Sequence, residues 1–534
     1  MRSSQTNQHI NTTTATALLL VLFLTSLFSY FLVNDLKLGI PPDEIAHLSK
    51  IKHAKNSAGL ITQLNDKLCT HGAKQSENPN YLSHPPLYYH LSGLLTDKSD
   101  CTIVYDYKTF RLASIVLSTL ALVIILTGIS SFNTSNSALI IFALFITSIP
   151  IFPYISASTN NDNLAFFSFS LLLISWILIY KQRHFKIAAI TLSISIALCL
   201  LSKATAGLQA VILSIFLTLL APKQVRSSIF SLDRDKIVPA IILSLPLAYY
   251  LFVKLTYGTF LPSTVSLLDH YWDKAPATMS LPQYISHYFN AILRSFTGIT
   301  SHENIYKTSI VQSYGILLVT AISVTQIFRL PKENDLRLLW KIYISGIITT
   351  VIFAVIHFIF IYAKYRAYGY PGGVQFRYYL TLIPLVGIGY LLWHSQTSRI
   401  FQIAAAIIVI PSLFWGNLFY YFDHRNTHRT TPRPQPAAAT KYHAEISYMT
   451  NKLTIRGQRH ICTDEKPTKL ITYYKKKIYD IHTLGAAQDN FTLDFDIPFS
   501  CHQYMTQLKN IKVIQFCDSS DSHTVSLINQ TNCQ

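Results

Sequence analysis

Residues 187–221 read IAAITLSISIALCLLSKATAGLQAVILSIFLTLLA, an apolar run that contains a single charged side chain, Lys203. About 20 apolar residues in a helix cross the hydrocarbon core of a bilayer, so the run is too long for one upright span. The sequence therefore predicts two spans, 187–202 and 206–221, separated at 203–207. One long bent helix and a re-entrant pair are the alternatives.

The same apolar signal recurs along the whole chain. Of its 534 residues, 50% are hydrophobic and only 13% are charged, whereas an average soluble domain carries about 25% charged residues. These features predict an all-α polytopic membrane protein. Its eleven predicted spans are 14–33, 109–130, 137–155, 163–180, 187–202, 206–221, 237–256, 307–328, 340–362, 377–394 and 400–421.

Basic residues in the short loops indicate the orientation, because Lys and Arg concentrate on the cytoplasmic side. Three loops, at 181–186, 223–236 and 329–341, are basic. Eleven spans with a cytoplasmic N-terminus place all three inside, whereas merging the fifth and sixth spans would separate the third loop from the first. The net charge of +18 comes largely from this bias and forms no long basic stripe, which argues against nucleic acid as a partner.

The outer segments divide the chain into three parts. A transmembrane module, 1–421, carries long outer loops at 34–108 and 257–306; a Pro-rich linker, 422–436, then leads to an extracytoplasmic C-terminal domain, 437–534. Short β-type runs in that domain predict a small α/β or β fold. The predicted strands are 469–478, 491–497, 511–516 and 524–528.

Cysteine usage agrees with this topology. Two cysteines, Cys69 and Cys101, lie in the first outer loop, whereas Cys199 lies in a span. Even numbers of cysteines in segments exposed to an oxidising compartment favour disulfides. The tail holds four, whose pairing stays open: Cys462, Cys501, Cys517 and Cys533.

The first outer loop begins with residues 39–47, GIPPDEIAH. Prolines followed by acidic residues predict the start of a helix. Asp43 and His47 are four residues apart and share a helix face, while Glu44 points about 100° away. A carboxylate here can act as a base on a hydroxyl or amine, or bind a divalent cation. The alternative is that both acidic residues only stabilise the positive helix end.

Residues 81–89 of the same loop read YLSHPPLYY. His84 precedes a proline, so its backbone is predicted to be extended. The two prolines then give a rigid approach to an aromatic pair. We interpret this stretch as a wall for a polar ligand with His84 and Tyr88 in reach, the alternative being an aromatic anchor at the membrane interface.

Polar residues also interrupt the apolar pattern at three later positions. Asp162 lies in the Asn-rich stretch 159–163, Lys203 lies between two spans, and Arg377 with Tyr378 opens another span within 375–379, QFRYY. An arginine fork suits a phosphate. The alternatives are a helix cap for Asp162 and snorkelling to the headgroups for the two basic residues.

In their order, the stretches 39–47, 81–89, 159–163 and 375–379 resemble the GT-C superfamily of polyprenyl-phosphate-sugar-dependent membrane glycosyltransferases. The likeness is greatest to bacterial members related to protein O-mannosyltransferases and lipid A aminoarabinose transferases. It covers about 14–421, and the tail at 422–534 does not share it. The chain departs from the common pattern because its first outer loop has no clear Asp-x-Asp.

This resemblance implies an inner-membrane enzyme with a cytoplasmic N-terminus and a periplasmic C-terminal domain. Such an enzyme would move a hexosyl or pentosyl group, with inversion, from a polyprenyl-phosphate carrier to an extracytoplasmic glycan, lipid or protein acceptor. Membrane lipid is the other implied partner. The alternatives are a surface-polysaccharide ligase or polymerase that uses the 257–306 loop, a transporter or flippase of lipid-linked substrate, and a non-catalytic assembly protein.

The resemblance also implies roles for particular residues. Asp43, with Glu44 as its neighbour, would be the catalytic carboxylate. Whether a divalent cation, Mg or Mn, binds to this pair stays open, and no other cofactor is expected. The predicted substrate-binding residues are His47, His84, Tyr88, Asp162, Lys203, Arg377 and Tyr378.

Overall fold

The structure, a computed structural model, describes two compact units, Met1–Arg425 and Asn426–Gln534. The described residues are 12–57, 66–70, 73–132, 134–230, 234–262, 277–300, 305–306, 310–369, 372–430 and eight strands between 442 and 528.

Helices account for most of the first unit. Their bounds are α1 Thr12–Asp35, α2 Glu44–Asn56, α3 Leu87–Gly93, α4 Tyr107–Ser130, α5 Asn136–Ser148, α6 Ile151–Ser156, α7 Asp162–Tyr180, α8 Phe185–Ser202, α9 Ala204–Leu220, α10 Lys223–Phe230, α11 Ile237–Tyr257, α12 Leu281–Thr297, α13 Ile310–Val324, α14 Asn334–Tyr368, α15 Ile383–Gln396 and α16 Arg399–Thr430. Short 3₁₀ turns lie at Cys101–Asp106, Arg234–Lys236, Thr325–Phe328 and Phe376–Leu382.

Among the described residues, eight helices are long and apolar enough to cross a membrane, judged by length and composition. Three shorter apolar helices, α5, α9 and the first part of α16, overlap the remaining predicted spans. The predicted span 137–155 is divided, because α5 ends at Ser148 and α6 begins at Ile151. The prediction of an α-helical polytopic membrane protein is therefore confirmed.

The chain turns sharply at Lys203, whose extended backbone (φ −153°, ψ 119°) separates α8 from α9. The Asn161 side chain donates to the Ser202 carbonyl at one end of the helices (2.8 Å). At the other end the Tyr180 hydroxyl donates to the Leu217 carbonyl (2.6 Å). Helices α7 and α9 therefore run in the same direction, with α8 returning between them. The two predicted segments are separate helices, so the single bent helix was the wrong alternative.

The first outer loop folds around a small core of its own. Helices α2 and α3 and the 3₁₀ turn at 101–106 bury Leu48, Ile51, Tyr89 and Ile103 almost completely. A short antiparallel pair, β1 (Lys67–Cys69) with β2 (Gln75–Pro79), covers this core. This packing fixes α2, and so it fixes the residues at the start of α2.

A disulfide joins Cys69 to Cys101, as the even cysteine count in this loop predicted. The Cys69 amide also donates to the Ser49 hydroxyl of α2 (2.8 Å), so the bridge ties β1 to both the 3₁₀ turn and α2. Cys199 is buried and free. The four tail cysteines lie outside the described residues.

We expect the Cys69→Ser, Cys101→Ser variant to be less stable by about 2–4 kcal/mol, because the bridge restricts the unfolded chain. The shift of the melting temperature in detergent measures this loss. A Cys199→Ser variant, which keeps the bridge, is the matched control. Equal melting of the double variant and the wild type would contradict the stabilising role.

The predicted outer loop at 257–306 contains α12 in its described part. Tyr284 and Tyr288 of this helix are buried and pack against α14, where the rings of Tyr284 and Tyr365 stack with centroids 4.8 Å apart. Residues 263–276 and 301–304, which hold several polar residues of the predicted loop, lie outside the described residues. The described part anchors α12 to the helix that precedes Arg377.

The second unit contains eight described strands: β5 Tyr442–Ser447, β6 Lys452–Gln458, β7 Thr468–Tyr474, β8 Lys477–Leu484, β9 Asn490–Asp496, β10 Ile511–Phe516, β11 Ser522–Val525 and β12 Leu527–Ile528. They form two four-stranded sheets, with the orders β11-β10-β7-β8 and β12-β5-β6-β9. The predicted strand at 469–478 divides into two paired strands, β7 and β8. Helix α16 continues to Thr430, into the segment predicted as an extended linker. In the first unit, β3 Ile299–Thr300 and β4 Ile305–Tyr306 form a further short antiparallel pair.

Candidate active site

Asp43 lies directly before α2 in a left-handed conformation (φ 61°, ψ 9°). Non-glycine residues seldom adopt this conformation, although Asp does so more readily than most. Its carboxylate accepts a hydrogen bond from the Tyr81 hydroxyl (2.7 Å) and forms an ion pair with Arg377. Both side chains of the pair are less than a tenth exposed. Asp43 was predicted inside the helix. It lies instead at the N-cap position, where its side chain forms no capping hydrogen bond.

A second buried ion pair joins Asp162, the first residue of α7, to Lys203 in the turn between α8 and α9. The Tyr378 ring connects the two pairs. Its centroid is 4.8 Å from the Lys203 ammonium nitrogen and 5.4 Å from the Arg377 guanidinium carbon. Residues far apart in the sequence thus place two carboxylates and two cations in one buried cluster.

Two histidines border this cluster. The His47 ring stacks on the His84 ring (centroids 5.8 Å apart) and meets the Tyr88 ring edge-on (6.3 Å). The Tyr89 hydroxyl hydrogen-bonds to Nδ1 of His47 (3.0 Å). Burial lowers the pKa of His47 to about 3 and holds the pKa of His84 well below its ordinary value. Both rings are therefore neutral at pH 7.

We expect the protein to lose stability as the pH falls below about 6.5. Below that pH, His47 and His84 bind protons in the unfolded chain but not in the folded protein. Each of them therefore lowers the free energy of unfolding by about 1.4 kcal/mol per pH unit. Above that pH the contribution is constant. Melting temperatures between pH 7.5 and 4.5 measure it, and the His47→Gln, His84→Gln variant should show a flatter profile. The same slope in both proteins would contradict this origin of the acid sensitivity.

Glu44 follows Asp43 in the sequence and is buried in a separate hydrogen-bond network. Arg111 of α4 binds it with two parallel hydrogen bonds of 2.7 Å, from Nε and Nη2. The backbone amides of Gly39 and Thr159 also donate to its carboxylate (3.1 and 3.2 Å). These bonds occupy the carboxylate from several sides. They hold the start of the first outer loop against α4, and the catalytic role predicted for Glu44 stays a prediction.

Sequence reasoning missed Arg111, Tyr81 and Gln209 as residues of this region. Arg111 had a signal, since an arginine near the start of an apolar span is costly unless it has a partner. The Gln209 amide in α9 donates to the Tyr378 carbonyl (2.7 Å) and accepts from the Thr381 hydroxyl. It therefore holds the 3₁₀ turn that carries Arg377. No pattern in the sequence indicates that Gln209 contacts Tyr378.

Several buried polar atoms around the cluster have no hydrogen-bond partner among the residues that the structure describes: Nε of Arg377, Oδ2 of Asp162, Oδ1 of Asn161 and Oγ1 of Thr159. A buried polar group without a partner costs about 1–3 kcal/mol. A polar ligand that supplies both an anionic acceptor and hydrogen-bond donors would remove this cost. The cluster is therefore suited to bind such a ligand.

The residues proposed for a divalent cation do not fit one in this arrangement. Asp43 is paired with Arg377 and Glu44 with Arg111, so a cation would meet a guanidinium at each carboxylate. Across the part of the chain that the structure describes, no group of three or more His, Cys, Asp or Glu residues is placed to hold a metal.

The fold and the cluster define the class: a multi-pass α-helical membrane protein with a buried, charged site where several helix ends meet. No protein-family model matches the chain, and no curated protein matches it. Solved structures do show similarity. They include ArnT from Cupriavidus metallidurans bound to undecaprenyl phosphate (12% identity, TM-score 0.43) and in the apo state (13%, 0.44); each comparison covers 73% of this chain and 62% of that chain.

The Archaeoglobus fulgidus oligosaccharyltransferase in the apo form is also similar, with 11% identity and a TM-score of 0.38 over 76% of this chain and 56% of that chain. The chain spans less than two thirds of the length of each of them.

Proposed function

We propose that the chain is a glycosyltransferase of the inner membrane that moves a sugar from a polyprenyl-phosphate carrier to an extracytoplasmic acceptor. The observation that carries this proposal is the buried cluster, in which Asp43 lies beside two cations and two neutral histidines. The order of the sequence motifs supports it independently. We place the N-terminus in the cytoplasm and the C-terminal domain in the periplasm, where it would contact the acceptor.

The proposed reaction is a single displacement at the anomeric carbon. The acceptor oxygen forms the new bond, its proton passes to the Asp43 carboxylate, and the carbon–oxygen bond to phosphate breaks with its electron pair on the leaving polyprenyl phosphate. Attack from the side opposite the phosphate inverts the sugar. A positioned carboxylate base contributes about 10²–10⁴-fold to such a step.

The two cations suit the leaving group. Arg377 has one unpartnered donor, Nε, and the Lys203 ammonium lies over the neighbouring Tyr378 ring. As phosphate binds, each cation can exchange part of its contact with a carboxylate for a phosphate oxygen. Asp43 then loses part of its ion pair and becomes a better base. Neutral His47 and His84 orient the sugar or the acceptor through hydrogen bonds.

Transfer of label from radiolabelled undecaprenyl-phosphate sugars tests the proposal, with native membranes as the acceptor source. Wild type should label a lipid, polymer or protein, and Asp43→Asn should lower the rate by at least 10²-fold. Asp106→Asn is the matched control, because Asp106 pairs with Lys98 in the same outer loop and lies outside the cluster. No transfer by wild type from a wide donor panel would overturn the proposal in favour of a flippase or an assembly protein.

A further inference from the structure

Several hydrogen-bond donors of the stretch 159–163 are used within the protein. The Thr159 amide donates to Glu44. The Asn163 side-chain amide donates to the carbonyls of Ile155, Ser158 and Asn160 (3.0–3.2 Å). The Asp162 amide donates to Oδ1 of Asn160 (2.9 Å). Among the described residues, three side-chain oxygens of this stretch remain unpartnered: the Thr159 hydroxyl, which can donate or accept, and Oδ1 of Asn161 and Oδ2 of Asp162, which can only accept.

The orientation of the Asn161 side chain follows from its neighbour. Its Nδ2 donates to the Ser202 carbonyl (2.8 Å), and a carbonyl can only accept. Turning the amide over would set two oxygens against each other. Oδ1 of Asn161 is therefore the atom left without a partner, and the residue is fully buried.

Asp162 divides its two oxygens between different partners. Oδ1 pairs with Lys203, and Oδ2 is buried without a partner. The hydroxyl of Thr159, two residues before Asn161, is buried and unpartnered as well. At Arg377 the unpartnered atom is instead a donor, Nε. The cluster thus offers a donor for an anion at Arg377 and acceptors for hydrogen-bond donors at Asn161 and Asp162.

We infer that Thr159, Asn161 and Asp162 form a subsite for the sugar that accepts its hydroxyl or amino hydrogens and excludes a sugar with a carboxylate. This inference rests on the proposed function. A carboxylated sugar would place a negative charge against two buried acceptor oxygens, neither of which can donate to it. A site built to accept hydrogen bonds rejects a ligand that cannot supply them far more strongly than an apolar pocket rejects a wrong shape.

Binding to the purified full chain in detergent tests this inference, with three probes: undecaprenyl phosphate alone, undecaprenyl-phosphate glucose and undecaprenyl-phosphate glucuronate. Wild type should bind the glucose lipid at least tenfold more tightly than the glucuronate lipid. The readout is the affinity ratio of the glucose lipid to the bare lipid, because any change at the phosphate cancels in it.

Thr159→Val keeps the side-chain volume and removes the hydroxyl, so it should lower this ratio a few-fold. Asp162→Asn should lower it about tenfold, although freeing Lys203 raises the affinity for the bare lipid. Asp106→Asn should leave the ratio unchanged. Equal wild-type affinities for the glucose and glucuronate lipids, or unchanged ratios in both variants, would overturn the subsite. Failure of wild type to bind undecaprenyl phosphate alone would instead overturn the proposed function, and the subsite with it.

Discussion

Arg377→Gln should lower the rate of sugar transfer by about 10²–10³-fold. A buried donor aimed at developing negative charge contributes an effect of this size, and Arg377 is the cation with an unpartnered buried nitrogen in the cluster. Arg377→Lys should recover part of the activity, since it keeps the charge and loses the planar fork. Initial rates at saturating donor measure the effect.

Arg377→Gln also leaves Asp43 as a buried carboxylate without its ion pair, which destabilises the fold. The double variant Asp43→Asn, Arg377→Gln separates the two consequences. Its melting temperature should return toward that of wild type, because no uncompensated charge remains. Its rate of sugar transfer should stay as low as that of the less active of the two single variants. Recovery of activity together with stability would show that both residues are structural only.

The sequence predicted the helices well because the signal for them is local. An apolar run of sufficient length forms a span wherever it occurs, and even the pair divided by Lys203 was predicted by its length and its single charge. The start of α2 was predicted less well. Asp43 adopts a left-handed backbone because Tyr81 and Arg377 hold its carboxylate, and no local pattern contains these distant contacts.

The sequence indicated the residues of the cluster by their residue types. It did not indicate which of them pair with each other. Asp43, Asp162, Lys203 and Arg377 were each recognisable as polar residues at span ends, and the structure brings all four together with His47, His84, Tyr88 and Tyr378. That Asp43 pairs with Arg377 and Asp162 with Lys203 follows from the helix packing alone. Their catalytic and binding roles stay predictions.

The division of labour between Asp43 and Glu44 depends on the same information. Adjacent carboxylates look equivalent in a sequence, and both were predicted to be catalytic. In the structure one carboxylate joins the cluster and the other is enclosed by Arg111 and backbone amides. Substitution of Arg111 therefore tests whether the Arg111–Glu44 ion pair only stabilises the fold or also takes part in catalysis.

Arg111→Met should destabilise the protein by about 3–5 kcal/mol, because it leaves the Glu44 charge buried without a partner. Arg111 also donates to the carbonyls of Val33, Leu36 and Lys37 near the end of α1 (3.0, 2.7 and 3.2 Å), and those acceptors lose their donor too. The melting temperature in detergent should fall sharply, with Arg329→Met in the basic loop 329–341 as the matched control.

The double variant Arg111→Met, Glu44→Leu removes the buried charge as well as its partner. Apolar replacement of a whole buried ion pair is often neutral, so we expect this variant to recover much of the lost stability and to keep sugar transfer in proportion to the folded protein. Asp43 would still supply the base. If the double variant melts like wild type and yet transfers no sugar, Glu44 takes part in the chemistry, and the assignment of Asp43 as the sole base is wrong.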